Sequence, residues 1–158
     1  MPHYFLTLAR SRLVIPVMAS LALCGQPAQA QEGPQPRLSQ VQLSAGMHVI
    51  HAEVARTDDQ QMRGLMFRRE LNGNDGMLFV NERSGRRCFW MRNTLVALTI
   101  AFVDDEGSIV NLADMQPQSD QSHCSSKPVR FALEMPLGWF AKRGIKASAK
   151  LGGAPFKP

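Results

Sequence analysis

The chain has only three cysteines in 158 residues, and no long apolar run beyond its first thirty. It also lacks a glycine-rich phosphate loop of the Walker or dinucleotide type, which removes the nucleotide chemistries those loops support. No cysteines or histidines stand at a zinc spacing such as C-x2-C or H-x3-H. After the N-terminus no apolar stretch approaches the ~20 residues that a membrane-spanning helix needs. Cations are scattered apart from pairs such as Arg68-Arg69 and Arg86-Arg87, so no basic stripe offers itself to nucleic acid. No internal repeat is visible. Acid/base hydrolysis asks for paired carboxylates or a carboxylate with a histidine. The densest acidic stretch, Asp104-Asp105-Glu106, is ordinary turn chemistry.

What is present begins with a leader. Arg10 and Arg12 precede an apolar run from Leu13 to Cys24, and Ala28-Gln29-Ala30 follows. A run of about a dozen apolar residues and an A-x-A site predict a signal peptide over 1–30, cleaved between Ala30 and Gln31. Leu23, directly before Cys24, fits badly in a lipoprotein box, so an anchor through Cys24 is not expected. Cleavage removes two arginines and no acid, and the net charge falls from +5 to +3. The mature chain is expected to be periplasmic or secreted, not transmembrane, and monomeric. Its remaining cysteines, Cys88 and Cys124, read first as a disulfide in an oxidising compartment, with reactive thiol and metal ligand as alternatives. Closing a loop of that length stabilises by about 3–4 kcal/mol on the chain-entropy estimate.

Residues 31–40 are Pro/Gln-rich and predict a flexible linker, with a single domain over 41–158. Ile50, Ala52 and Val54 alternate with His51 and Glu53, the pattern of a half-buried strand. The period then changes. Thr57-Asp58-Asp59-Gln60 is a capping box, Met62, Leu65 and Met66 follow at helical spacing, and Arg68-Arg69 suit a helix C-terminus. A short amphipathic helix near 57–69 is predicted. Met77–Val80, Arg86–Met91, Val96–Phe102, Ser108–Ala113 and Val129–Met135 read as strands, 115–126 as a polar loop, and 137–143 as a second short helix. The sum is a mostly β (α+β) fold, a compact β-sandwich or barrel-like domain.

The stretches RGLMFRREL (63–71), GMLFV (76–80), FWMRNT (89–94), IAFVDDEGSIV (100–110), PVRFALEM (128–135) and GWFAKRGIK (138–146) together resemble the DUF192 family. The resemblance covers roughly Val49 to Leu151. It implies a compact β-sandwich or barrel-like domain with a helix between early strands, and implies no reaction. Ala97 stands where the family usually has proline, and Thr99 where an acid is common, so no role of that acid carries over.

Ser122-His123-Cys124 invites a nucleophile reading, which a disulfide to Cys88 would remove. Seven methionines remain in the mature chain. With thioether, imidazole and thiolate together they raise Cu(I) binding as a second alternative, though core packing explains methionines on apolar faces more simply. No cofactor is expected. The leading expectation is non-catalytic binding in the cell envelope, of a small anionic or saccharide ligand or a protein partner. An envelope enzyme acting on cell-wall or polysaccharide material is the first alternative. The candidate binding residues are Arg63, Arg68, Trp90, Arg92, Asn93 and Glu134. Arginine offers a planar fork to carboxylate or phosphate, and Trp90 a flat apolar face. Trp90 and Arg92 should share one face of a strand while Phe89 and Met91 take the other. For Glu134, an ion pair with a neighbouring strand's arginine is the structural expectation.

Overall fold

The computed structural model describes residues 33–156; the signal peptide and its cleavage site lie outside the described residues. The described residues build a curled half-barrel sheet of seven strands, in the order β6-β5-β8-β3-β2-β1-β9. The strands are β1 (Gln40–Ala45), β2 (His48–Ala55), β3 (Asp75–Gly85), β5 (Leu98–Val103), β6 (Ile109–Met115), β8 (Val129–Pro136) and β9 (Leu151–Gly152). Two short strands, β4 (Cys88–Phe89) and β7 (His123–Cys124), pair separately. All sheet pairings are antiparallel except β2 with β3. A parallel pair needs a crossover, and the crossover here carries α1 (Asp58–Arg63) and the segment 64–74.

Alternation along the strands sorts the interior into two cores. One face buries Ile50, Ala52, Leu78, Ala101, Phe131, Leu133 and Met135 and is sealed by Trp139, Phe140 and Leu151. The other buries Met77, Phe79, Leu98, Ile100, Phe102 and Ala132 beneath Leu65 and Met91. A fully buried Leu or Phe contributes about 1.5–3 kcal/mol, so both faces are substantial. The central strands are apolar on both sides because both sides are covered.

The capping box is formed as expected. The Thr57 hydroxyl accepts from Gln60 N at 3.3 Å, and the Gln60 side chain accepts from Thr57 N at 3.2 Å. The helix is shorter than the predicted 57–69. It stops at Arg63 because Gly64 takes φ +47°, and a Cβ there would stand 3.3 Å from the Phe79 ring. Its truncation leaves Met62 73% exposed, so Met62 is not part of the core. The second predicted helix, 137–143, reduces to a 3-10 turn at Ala141–Arg143, closed by left-handed Gly144. The polar segment 115–126 contributes the end of β6 and all of β7. Residues 33–39, expected as linker, are tied down. Gln35 is buried and donates to Gln60 O and Gly64 O, and Leu38 N donates to the Glu53 carboxylate.

Candidate functional site

A cleft of about 420 Å³ lies between α1, the following turn and the segment Arg86–Trp90. Its apolar lining includes Leu65, Met66, Phe79 and Phe89, and Met62 and Trp90 are its exposed hydrophobic residues. Arg63, Arg86 and Arg87 supply positive charge, and Thr94 and Glu134 line it from buried positions. The volume is within the range of small-molecule sites.

Each wall has a local cause. Phe79 lies on the same face of β3 as Met77, and Phe89 packs edge-on against it with centroids 4.9 Å apart. The Arg86–Trp90 wall is stapled by the Cys88–Cys124 disulfide. Arg87 N donates to Ser125 Oγ, and Ser125 N donates back to Arg87 O. The Arg87 side chain donates through Nη2 to Arg83 O at 2.6 Å, while its Nε is buried without a partner. Arg63 donates to Gly33 O at 2.9 Å. Trp90 is held by Arg92, whose guanidinium lies 4.4 Å from the indole centroid.

Glu134 is the unusual group. Strand alternation puts it on the cleft face of β8, beside Met77 of β3 and Ile100 of β5. It is 4% exposed and has no hydrogen-bond or ion-pair partner among the described residues. Burial pushes its carboxyl up from 4.5 to about 8. The expected ion pair to a neighbouring arginine is not formed. Arg130, on the same strand, turns outward to Asn81 O and Asp105.

Of the six candidates, Arg63, Trp90 and Glu134 converge on the cleft; Arg68, Arg92 and Asn93 do not line it. Arg68 is buried and bonded at 2.8 Å to Glu53, which also holds Arg37 at 2.8 Å. Glu53 was expected on an exposed face. The segment after α1 covers that face, and Arg68 neutralises the acid beneath it. Arg92 pairs with Asp120 at 2.8 Å on the surface. Asn93 takes φ +58°, and its carbonyl accepts from Phe67 N at 2.8 Å, so it shapes a turn. The predicted strand over 86–91 is only two residues long, yet the inside/outside pattern holds: Phe89 and Met91 point inward, Trp90 and Arg92 outward. Arg86, Arg87, Met62 and Thr94 were not picked out as site residues. The Arg86-Arg87 pair directly before Cys88 was the available signal.

Among the described residues no group of three or more His, Cys, Asp or Glu side chains is placed to share a metal ion. Met77, Met91, Met115 and Met135 are buried in core. No helix among the described residues is long and apolar enough to cross a membrane. A second depression of about 610 Å³, beside Phe140 and Ile145, has its polar centre satisfied. There Thr99 donates to Asp114 at 2.6 Å and accepts from Gly138 N at 2.9 Å.

A curled half-barrel with a βαβ crossover, a cross-strand disulfide and an acid-floored cleft defines the class of domain. The chain belongs to the DUF192 family, described as uncharacterized ACR, whose sequence profile matches residues 40–153. It is similar to a solved protein of unknown function from Novosphingobium aromaticivorans, at 35% identity and a TM-score of 0.70, covering 73% of this chain and 86% of that one. It is also similar to a candidate transcription regulator from Sinorhizobium meliloti, at 29% identity and a TM-score of 0.69, covering 73% and 92%. No curated protein sequence matches significantly.

Proposed function

We propose that the mature chain is an exported cell-envelope domain that binds a small anionic or saccharide ligand in the Glu134 cleft and catalyses no reaction. The observation that carries this reading is a buried carboxyl with no partner among the described residues, lining a cleft that also carries three arginines. A buried polar group without a partner costs free energy, and a ligand that supplies the partner recovers it. The apolar walls add non-directional affinity, and the arginines recognise an acidic group by shape and charge. Binding is favoured over hydrolysis because the described lining has one carboxylate, no histidine, and a cysteine already bonded. The A-x-A site and the disulfide support export.

The test is a thermal-shift panel on the mature protein with muropeptides, N-acetylglucosamine oligomers, free amino acids and inorganic phosphate. At least one class should raise the melting temperature by mass action, and Phe89→Ala should abolish the shift. A panel with no shift, or shifts equal in the variant, overturns the cleft as a binding site. Export is checked separately by the N-terminus of the fractionated protein. Gln31 in the periplasm or medium is expected, and an intact Met1 in the cytoplasm refutes it.

A further inference from the structure

We propose, resting on the cleft reading above, that the ligand is a small zwitterion: its ammonium group seats against Glu134 and its acidic group, carboxylate or phosphate, against Arg86 and Arg87.

The cleft holds an acid and arginines that do not pair with each other. No arginine is within ion-pair distance of Glu134 among the described residues; the ion pairs found are those of Glu53, Asp120 and Asp105. Where a site keeps its acid and its bases apart, a ligand carrying both charges satisfies each without burying net charge. A simple acid meets the arginines and leaves Glu134 without the cation that would stabilise its carboxylate. A neutral sugar leaves Arg86 and Arg87 without an anion.

The surroundings of each end fit its partner. The aromatic rings of Phe79 and Phe89 line the same cleft as Glu134, and aromatic faces attract a desolvated cation. At the other end Arg87 has a backbone pinned to Ser125 next to the disulfide, and its guanidinium is fixed through Nη2 to Arg83 O. An anion there meets a pre-positioned guanidinium, which reduces the ordering cost of binding. The volume of about 420 Å³ admits a molecule of amino-acid to short-peptide size, with Leu65 and Met66 to receive an apolar side chain.

Binding of this kind moves a proton. The charged groups that share the cleft with Glu134 are Arg63 from the end of α1 and Arg86 and Arg87 from the turn before β4, while β3 and β5 present Met77 and Ile100 beside it. Burial keeps the Glu134 carboxyl protonated up to about 8 in the empty cleft. A seated ammonium favours the carboxylate, so the carboxyl proton leaves to solvent as the ligand binds. Affinity should therefore rise as pH rises toward 8.

Calorimetric titration of the mature protein at pH 6.5, in two buffers of different ionisation enthalpy, tests this. The probes are leucine, alanyl-phenylalanine and phosphoethanolamine, against 4-methylpentanoate, which lacks the amine, and leucinamide, which lacks the acid. At least one zwitterion should bind about ten-fold or more tighter than either half-molecule, a difference of about 1.4 kcal/mol, and release close to one proton. Preference for phosphoethanolamine identifies phosphate as the acidic group; preference for leucine or the dipeptide identifies carboxylate. Glu134→Gln, with its fold checked by circular dichroism, should lose both the affinity and the proton. Arg86→Ala should weaken leucine but not leucinamide. If 4-methylpentanoate binds as well as leucine, or binding releases no proton, or only other classes of the panel bind, the zwitterion is wrong while the cleft stands. If nothing binds, the cleft reading itself has failed.

Discussion

The two faces of this sheet are made by the same strands and treat polar groups differently. On the closed face, Trp139 Nε1 and Arg143 Nη2 both donate to Asn74 Oδ1, each at 3.0 Å, and the Arg143 guanidinium lies 4.2 Å from the Trp139 centroid. On the cleft face, Arg68 Nε and Arg87 Nε are buried without partners, and the Glu134 carboxyl has no hydrogen-bond or ion-pair partner among the described residues. Strand β8 shows the contrast in adjacent residues: Leu133 and Met135 disappear into one core while Glu134 faces the cleft. On the closed face the indole and the guanidinium share a protein acceptor. The other face is complete only around Glu53, where Arg37 and Arg68 supply the missing charge. Glu53 is buried with two arginines; Glu134 is buried with none among the described residues.

The sharpest way to break that contrast is to empty the closed face. Leu133→Ala removes a fully buried side chain from the sealed core and should cost about 2–5 kcal/mol in urea denaturation. Phe89→Ala, from a half-buried ring on the cleft wall, should cost clearly less, because the cleft already admits solvent. Equal losses would mean that the cleft face is packed as tightly as the closed one. A smaller effect is expected from the staple. Cys88→Ser with Cys124→Ser opens a loop with a sequence separation of 36 and should lose about 2–4 kcal/mol. The loss should be local, with amide exchange rising at Arg87–Trp90 more than along β8. A uniform rise would show that the disulfide braces the whole sheet and not the cleft wall.

Much of the framework was legible because it depends on local pattern. The capping box at Thr57, the turn at Asp104–Gly107 and the alternation from Val129 to Met135 each need only neighbouring residues. In the turn, Asp104 Oδ1 accepts from Ser108 N at 2.7 Å. The helix length was not legible. Its stop is set by Phe79 pressing on Gly64, a contact across the crossover that spacing cannot reveal. The same limit applied to the acids. Glu53 and Glu134 both sit at alternating positions in apolar strands, and a strand pattern says only which face each occupies. What covers that face decides their fates. The segment after α1 lays Arg68 over Glu53, and no arginine among the described residues pairs with Glu134. Trp90 and Arg63 were chosen as polar and amphipathic groups within the family-like motifs, and both line the cleft. Arg68 was chosen on the same grounds and proved to be the counterion of Glu53.

Glu134 also leaves a mark on the ligand-free protein, the smallest of these effects per unit change. In the unfolded chain its carboxyl titrates near the ordinary glutamate value of 4.5; in the fold, burial raises it to about 8. Between these values the native state holds a proton that the unfolded state has released, so the native state binds more protons and stability falls as pH rises. The full contribution is present below about pH 4.5, declines by about 1 kcal/mol per pH unit, and is gone above about pH 8. Glu134→Gln carries no titrating group and should lack this slope. The variant should be the more stable protein at pH 8, and the advantage should vanish toward pH 4. The measurement is the difference between urea midpoints of the two proteins at each pH, which cancels the titration of every other group. Parallel curves would mean that Glu134 is ionised and partnered in the fold, and the two faces of the sheet would then be alike in satisfying their own acids.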